Sequence, residues 1–256
     1  MKKKYLFFDY DGTLTDLRNM SIVPSAVEAI DLLQANGHFC ALATGRSYYK
    51  SKQIMEKIHV ENGVCSCGGG IILNKKLIKD EPLDLENVKQ LIRECKMNNI
   101  GYQLSLEDGP ILISDSALFS KQCKNHNEGD IVIDPNFDFE KIDKVLKAYV
   151  SVSKEDEYKL PALNKLGKLR FMPGFLIIQH DKKKQAIIEL MNYLKAPIED
   201  VVVFGDGSND INMFDARWTN IAMGNAVEEL KKLATYVSDN SYDDGIYNAC
   251  KHFNWI

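Results

Sequence analysis

Asp9 and Asp11 stand two positions apart in the run Asp9-Tyr10-Asp11-Gly12-Thr13. Where strand geometry persists, residues two apart project to the same side. Two carboxylates held so close repel one another, and burying them unpaired is costly. A divalent cation relieves that repulsion. Oxygen ligands favour Mg²⁺ over zinc, since the five histidines are dispersed and Mg²⁺ uses few carboxylates beside phosphate and water. Asp206 and Asp210, in Gly205-Asp206-Gly207-Ser208-Asn209-Asp210, are the natural distant contributors. Such a pair can divide its labour on a phosphate ester. Asp9 attacks phosphorus as a nucleophile, giving an aspartyl-phosphate. Asp11 protonates the departing alkoxide, then deprotonates the water that hydrolyses the intermediate. Gly12 lets the backbone approach a phosphate, and Thr13 can donate hydrogen bonds.

Two further clusters carry compatible chemistry. Thr44, in Thr44-Gly45-Arg46, stands where an apolar run gives way to a helical pattern, so its hydroxyl and nearby N–H groups can face an anion. The position also suits an ordinary helix cap, and a cap can still bind phosphate. Arg46 reads either as a surface residue or as a hold on substrate. Lys182, Lys183 and Lys184 open another helix, where lysine opposes the helix dipole. A nearby anion would explain such a cation, and the residues alone do not choose among the three.

These groups need elements to bring them together. Tyr5–Phe8, 39–43 and 201–204 are short apolar runs of strand type, each ending in one of the clusters. Residues 24–36 pattern as a helix, with Pro24 in its first turn and Gly37 as its stop. Further helices are expected at 48–58, 184–195 and 227–234. Strand alternating with helix implies a parallel sheet covered on both faces, whose ligands lie outside the carboxyl ends of its strands. Asp80-Glu81-Pro82 reads as a linker. Beyond it come a helix at 88–97, strands at 102–106 and 111–114, and a helix at 139–149. The expected architecture is therefore a Rossmann-like α/β core, residues 1–80 and 179–256, with an α+β domain inserted at 81–178.

Composition narrows the classes. The chain has 256 residues, 45% hydrophobic and 27% charged, as soluble globular proteins do. A net charge of −4 gives no reason to expect a nucleic-acid or membrane-surface partner. The N-terminal apolar run is too short for a signal peptide, so a cytoplasmic location is expected. Six scattered cysteines read as reduced core thiols rather than zinc ligands. No G-x-x-x-x-G-K-[ST] phosphate loop is present.

In order along the chain, the motifs resemble those of the haloacid dehalogenase-like (HAD) superfamily, in particular its Cof-type sugar-phosphatase branch with a large inserted cap. Asp9-Tyr10-Asp11-Gly12-Thr13-Leu14 is similar to the first family motif, Thr44-Gly45-Arg46 to the second, and Gly205 through Asp210 to the fourth. Ala222-Met223-Gly224-Asn225-Ala226 and Asp243-Asp244-Gly245-Ile246 are also similar to the branch. The resemblance implies a Mg²⁺-dependent phosphatase acting on a small phosphorylated metabolite. It makes Asp9 nucleophile and metal ligand, and Asp11 acid and base with its backbone carbonyl on the metal. Asp206 becomes a metal ligand, Asn209 a phosphate contact, and Asp210 a support of the metal site. The third motif, Lys-Gly-x-Ala-Leu, resembles Lys183-Lys184-Gln185-Ala186-Ile187, which selects Lys183 ahead of Lys182. Lys184 stands where that motif has glycine, and a second departure falls at Cys67-Gly68-Gly69-Gly70, in the region where the branch carries Asn-Gly-Ala; Gly68 is read as removing the amide side chain. A phosphomutase sharing the aspartyl-phosphate and a non-catalytic binding module stay open as alternatives.

Overall fold

The computed structural model describes residues 2–124 and 128–256. The chain divides into two compact units, Met1–Asp80 with Lys182–Ile256, and Glu81–Asp181. The second unit therefore runs past the expected boundary at 178 and includes Gln179, His180 and Asp181. His180 Nε2 lies 2.8 Å from the carbonyl of Glu81, tying the end of this unit to its beginning.

The first unit is built on an eight-stranded sheet. Six strands run parallel, in the spatial order Tyr236–Val237, Thr219–Ala222, Val201–Gly205, Tyr5–Phe8, Phe39–Ala43 and Asn62–Cys65. Gly70–Leu73 and Lys76–Asp80 extend it as antiparallel strands. Central strands of such a sheet are covered on both sides, which explains their unbroken apolar runs. Leu6 and Phe8 point to one face, among Ile30, Leu33 and Trp255. Phe7 points to the other, among Ile187, Leu190 and Met191. Helices Pro24–Ala35 and Lys183–Tyr193 supply these opposite layers. From Tyr5–Phe8 the chain moves outward one way, and from Val201–Gly205 it moves the other. The crevice between these two neighbours is the topological switch point, where open α/β sheets bind ligands.

The second unit carries a six-stranded sheet in the order Asp130–Ile133, Ile111–Ser114, Tyr102–Ser105, Lys147–Val150, Phe175–Ile178 and Lys168–Met172. Helix Leu85–Met97 packs Val88, Leu91, Ile92 and Cys95 against Leu104, Ala148 and Ile178. Asp84 caps it by accepting the Asn87 N–H at 2.9 Å.

Two expected helices differ. Residues 139–149 hold a short helical turn, Phe139–Lys141, and then the strand Lys147–Val150. Their apolar spacing suited a helix, but Ala148 and Val150 pair with strands on both sides, and that pairing overrides local preference. The helix expected at 227–234 spans only Glu228–Lys231. Among the described residues, no helix is long and apolar enough to cross a membrane.

Candidate active site

Strand pairing ends at Phe8, and the Asp9 N–H still donates to the Phe204 carbonyl at 3.0 Å. The chain then leaves strand geometry through the turn Tyr10–Leu14, with Gly12 at φ +86°. The alternation that would have set Asp9 and Asp11 side by side therefore does not continue. Their carboxylates go to different partners.

Asp9 is buried, and its Oδ1 accepts from Lys183 Nζ at 2.6 Å. The same ammonium donates to Asp210 Oδ1 at 2.7 Å. Lys183 is only 1% exposed, whereas Lys182 is exposed and Lys184 Nζ lies 3.4 Å from Asp215. Helix Lys183–Tyr193 thus brings one of the three lysines into this pair. Asp210 Oδ2 accepts the N–H groups of Asp206 and Gly207, both at 3.0 Å, which fixes the turn after Val201–Gly205. Asp206 Oδ1 accepts from the Thr13 hydroxyl at 2.8 Å. Gly12 passes so close that an added Cβ would lie 2.1 Å from Asp206 Oδ2. Glycine there serves both the backbone conformation and the approach.

Asp9, Asp206 and Asp210 each present one carboxylate oxygen within 4.8 Å of the others, and all three are buried. Burial first, and the Asp210 charge second, push the Asp9 carboxyl well above the usual range, against the pull of Lys183. Burial likewise raises Asp206 to about 7, helped by Asp210 and opposed by its hydrogen bond from Thr13. Burial by itself would lower Lys183, but Asp210 and Asp9 outweigh it and hold the ammonium charged. Three buried carboxylates around one ammonium form an oxygen-only set with excess negative charge. Such a set suits a hard divalent cation.

The Asp11 carboxylate lies outside that group. It receives two hydrogen bonds from Arg46, Nε to Oδ2 at 3.0 Å and Nη2 to Oδ1 at 2.6 Å. Thr44 is buried, and its hydroxyl oxygen accepts the Arg46 N–H at 3.1 Å. Gly45 and Asn209 are half-buried beside these turns.

Residues not singled out for the site also frame it. Asn225 donates to the Gly12 carbonyl at 2.8 Å and accepts the Ser241 N–H at 2.8 Å. Its only sequence signal was a family-like run. The loop after Asn62–Cys65 places Ser66, Cys67 and Gly68 at φ +51°, +54° and +98°. A Cβ on Gly68 would lie 2.3 Å from the carbonyl carbon of Lys182, whose N–H donates to the Cys67 carbonyl at 2.9 Å. Position 68 therefore admits no side chain. The reading of Gly68 as a lost amide is corrected: Cys67 occupies the side-chain position beside it.

The buried acids lie at the switch point of a doubly wound, Rossmann-like α/β sheet. Residues 6–250 match the haloacid dehalogenase-like hydrolase family, and the chain belongs to it. It is similar to YkrA of Bacillus subtilis, 26% identical over the whole of both chains. It is also similar to phosphoglycolate phosphatase 1 of Saccharolobus solfataricus, 25% identical over 95% of this chain and 92% of the relative. Among solved structures it resembles the HAD subclass IIB sugar phosphatase BT4131, 26% identical with a TM-score of 0.81, covering 99% of this chain and all of the other. The protein is thus an enzyme, a HAD-type phosphatase with an α+β unit inserted in its α/β core.

Proposed function

We propose that the enzyme hydrolyses small phosphomonoesters, sugar phosphates or similar metabolites, through an aspartyl-phosphate on Asp9. The observation that carries this reading is the buried group of Asp9, Lys183, Asp210 and Asp206 at the switch point. Names of the relatives support the substrate class, since phosphoglycolate and sugar phosphates are small phosphate esters.

Lys183 ties Asp9 Oδ1, so Oδ2 is the attacking atom. As the new O–P bond forms, the ester P–O bond breaks and the leaving alkoxide takes a proton from Asp11. Water then attacks phosphorus and gives its proton to Asp11. The Asp9–phosphate bond breaks, orthophosphate departs, and both aspartates are restored. The Thr44 hydroxyl is suited to a phosphate oxygen, with Gly45 and Asn209 beside it, while the Thr13 hydroxyl holds Asp206 in place. Asp9 and Asp206 would hold Mg²⁺, with the Asp11 backbone carbonyl as a further ligand. Asp210 supports the set from behind, because hydrogen bonds already engage both its oxygens. When bound, the cation offsets negative charge between carboxylates and phosphate. The Glu81–Asp181 unit is read as the cap that selects the leaving group.

Orthophosphate release from a panel of sugar phosphates, nucleotides and pyridoxal phosphate tests the reading, with Mg²⁺ and with chelator. Release is expected to need both Asp9 and the cation, and Asp9→Asn should abolish it while leaving the fold intact. Turnover that persists in Asp9→Asn would discard the mechanism. Isomerised sugar phosphate without free phosphate would make the enzyme a mutase.

A further inference from the structure

Asp11 sits on a turn, with about a third of its side chain exposed (34%). Among the described residues, the hydrogen bonds to its carboxylate come from the two-pronged contact with Arg46. An ion pair this open to solvent adds little to stability. What it does fix is direction, because a guanidinium fork meets a carboxylate in one plane.

The Arg46 backbone is itself pinned. Its N–H donates to the Thr44 hydroxyl at 3.1 Å, and its carbonyl accepts from the Ser66 N–H at 2.7 Å. Its side chain has a second support. The guanidinium carbon lies 4.8 Å from the centre of the Tyr10 ring, and Tyr10 is only 9% exposed. A buried ring against a half-exposed cation narrows the positions that the long arginine side chain can sample. Tyr10 lies between the two acids in sequence and was given no role by its type or spacing.

We infer that Tyr10 and Arg46 are positioning residues for phosphoenzyme hydrolysis: the Tyr10 ring supports the Arg46 guanidinium, which aims the Asp11 carboxylate at the attacking water. The inference rests on the proposed role of Asp11. It concerns the step in which the water O–H bond breaks, its proton passes to Asp11, and its oxygen replaces the Asp9 oxygen on phosphorus.

4-Nitrophenyl phosphate separates this step from the first, because nitrophenolate leaves without needing a proton. Rapid mixing reads phosphorylation as nitrophenolate release, and acid quenching reads phosphoenzyme decay. Tyr10→Leu should leave phosphorylation within about twofold and slow decay about tenfold, the scale of a lost cation–ring contact. Arg46→Ala should slow decay about 100-fold, the lower end of a general base's contribution. Tyr10→Phe, which keeps the ring, should restore the rate. A purely structural role would slow both steps together or raise KM. Equal slowing of both steps, or unchanged decay in Arg46→Ala, overturns the inference. Because Arg46 is half-exposed, its variants carry the test even if Tyr10→Leu fails to fold. Two controls separate this from the reading beneath it. Asp9→Asn should form no phosphoenzyme, and Asp11→Asn should form it and hydrolyse it slowly. Failure of either control overturns the proposed mechanism and the inference with it; success of both with indifferent Tyr10 and Arg46 variants overturns the inference alone.

Discussion

Replacing Lys183 by Met keeps much of the side chain's length and removes its charge from a position 2.6 Å from Asp9 and 2.7 Å from Asp210. At those separations and an effective dielectric of about 20, each contact is worth about 6 kcal/mol before desolvation. Burying the ammonium cancels much of that sum. Removing one partner of a buried ion pair costs about 3–5 kcal/mol net. Domain stabilities are about 5–15 kcal/mol, so a folded but weakened variant is expected. The loss should also depend on pH. Asp9 is already raised well above the usual carboxylate range by burial and by Asp210, and the variant removes the cation that opposes this. A carboxyl raised in the folded state favours folding when protonated. That contribution is complete below the unfolded value of about 4 and is lost as pH rises through the folded one. The deficit of Lys183→Met should therefore be small near about pH 5 and wide near about pH 8. Urea denaturation of both proteins without divalent cation, followed by circular dichroism, reads it directly. A deficit below about 1 kcal/mol at the upper pH, or one that is equal at both, would refute the account of Lys183 as the charge that makes this cluster tolerable.

Other consequences are equally direct. Gly12→Ala puts a Cβ 2.1 Å from Asp206 Oδ2 at φ +86°, so Asp206 must move off Thr13. A displacement of this size in a reacting site costs about 100-fold in kcat, which steady-state phosphate release would show. Gly68→Asn meets the Lys182 backbone at 2.3 Å and should lower stability by about 1–3 kcal/mol, read as a fall in Tm. An unchanged Tm would contradict the close packing of this loop. Asp206 is raised to about 7, so protons compete with a divalent cation below that pH. Mg²⁺ affinity by titration calorimetry should climb as pH rises through about 7 and then level; an affinity flat from about pH 5 to about pH 8 would exclude Asp206 as a ligand.

The core was legible because its strands are unbroken apolar runs that stop abruptly at polar clusters. Phe8 before Asp9 and Phe204 before Gly205 mark those stops, and both side chains are fully buried. The strand Lys147–Val150 was not legible, since Val145 and Tyr149 suit a helix face as well as a sheet, and only distant partners decide. In the site, residue types were readable but directions were not. Nothing in the run from Asp9 to Thr13 announces that the turn sends one carboxylate to Lys183 and the other to Arg46. Lys182 and Lys183 are neighbours of one type, separated by a rotation of about 100° at the helix start. The contact at Gly68 depends on a backbone more than a hundred positions away, which no local pattern records.

The central strand Tyr5–Phe8 pairs on one side with Val201–Gly205. Asp9 meets its ammonium across 174 positions of chain. During synthesis the strand Tyr5–Phe8 is made well before Val201–Gly205 and waits for this neighbour until the inserted segment has emerged. Contacts so remote in sequence close late and slowly. The Glu81–Asp181 segment, complete in itself, can fold in the interval. A buried acid without its counter-charge is unfavourable, so Asp9 should remain solvated until Lys183 arrives. The insertion is thus also a delay line in biogenesis: the catalytic crevice can close only after the inserted segment has been made.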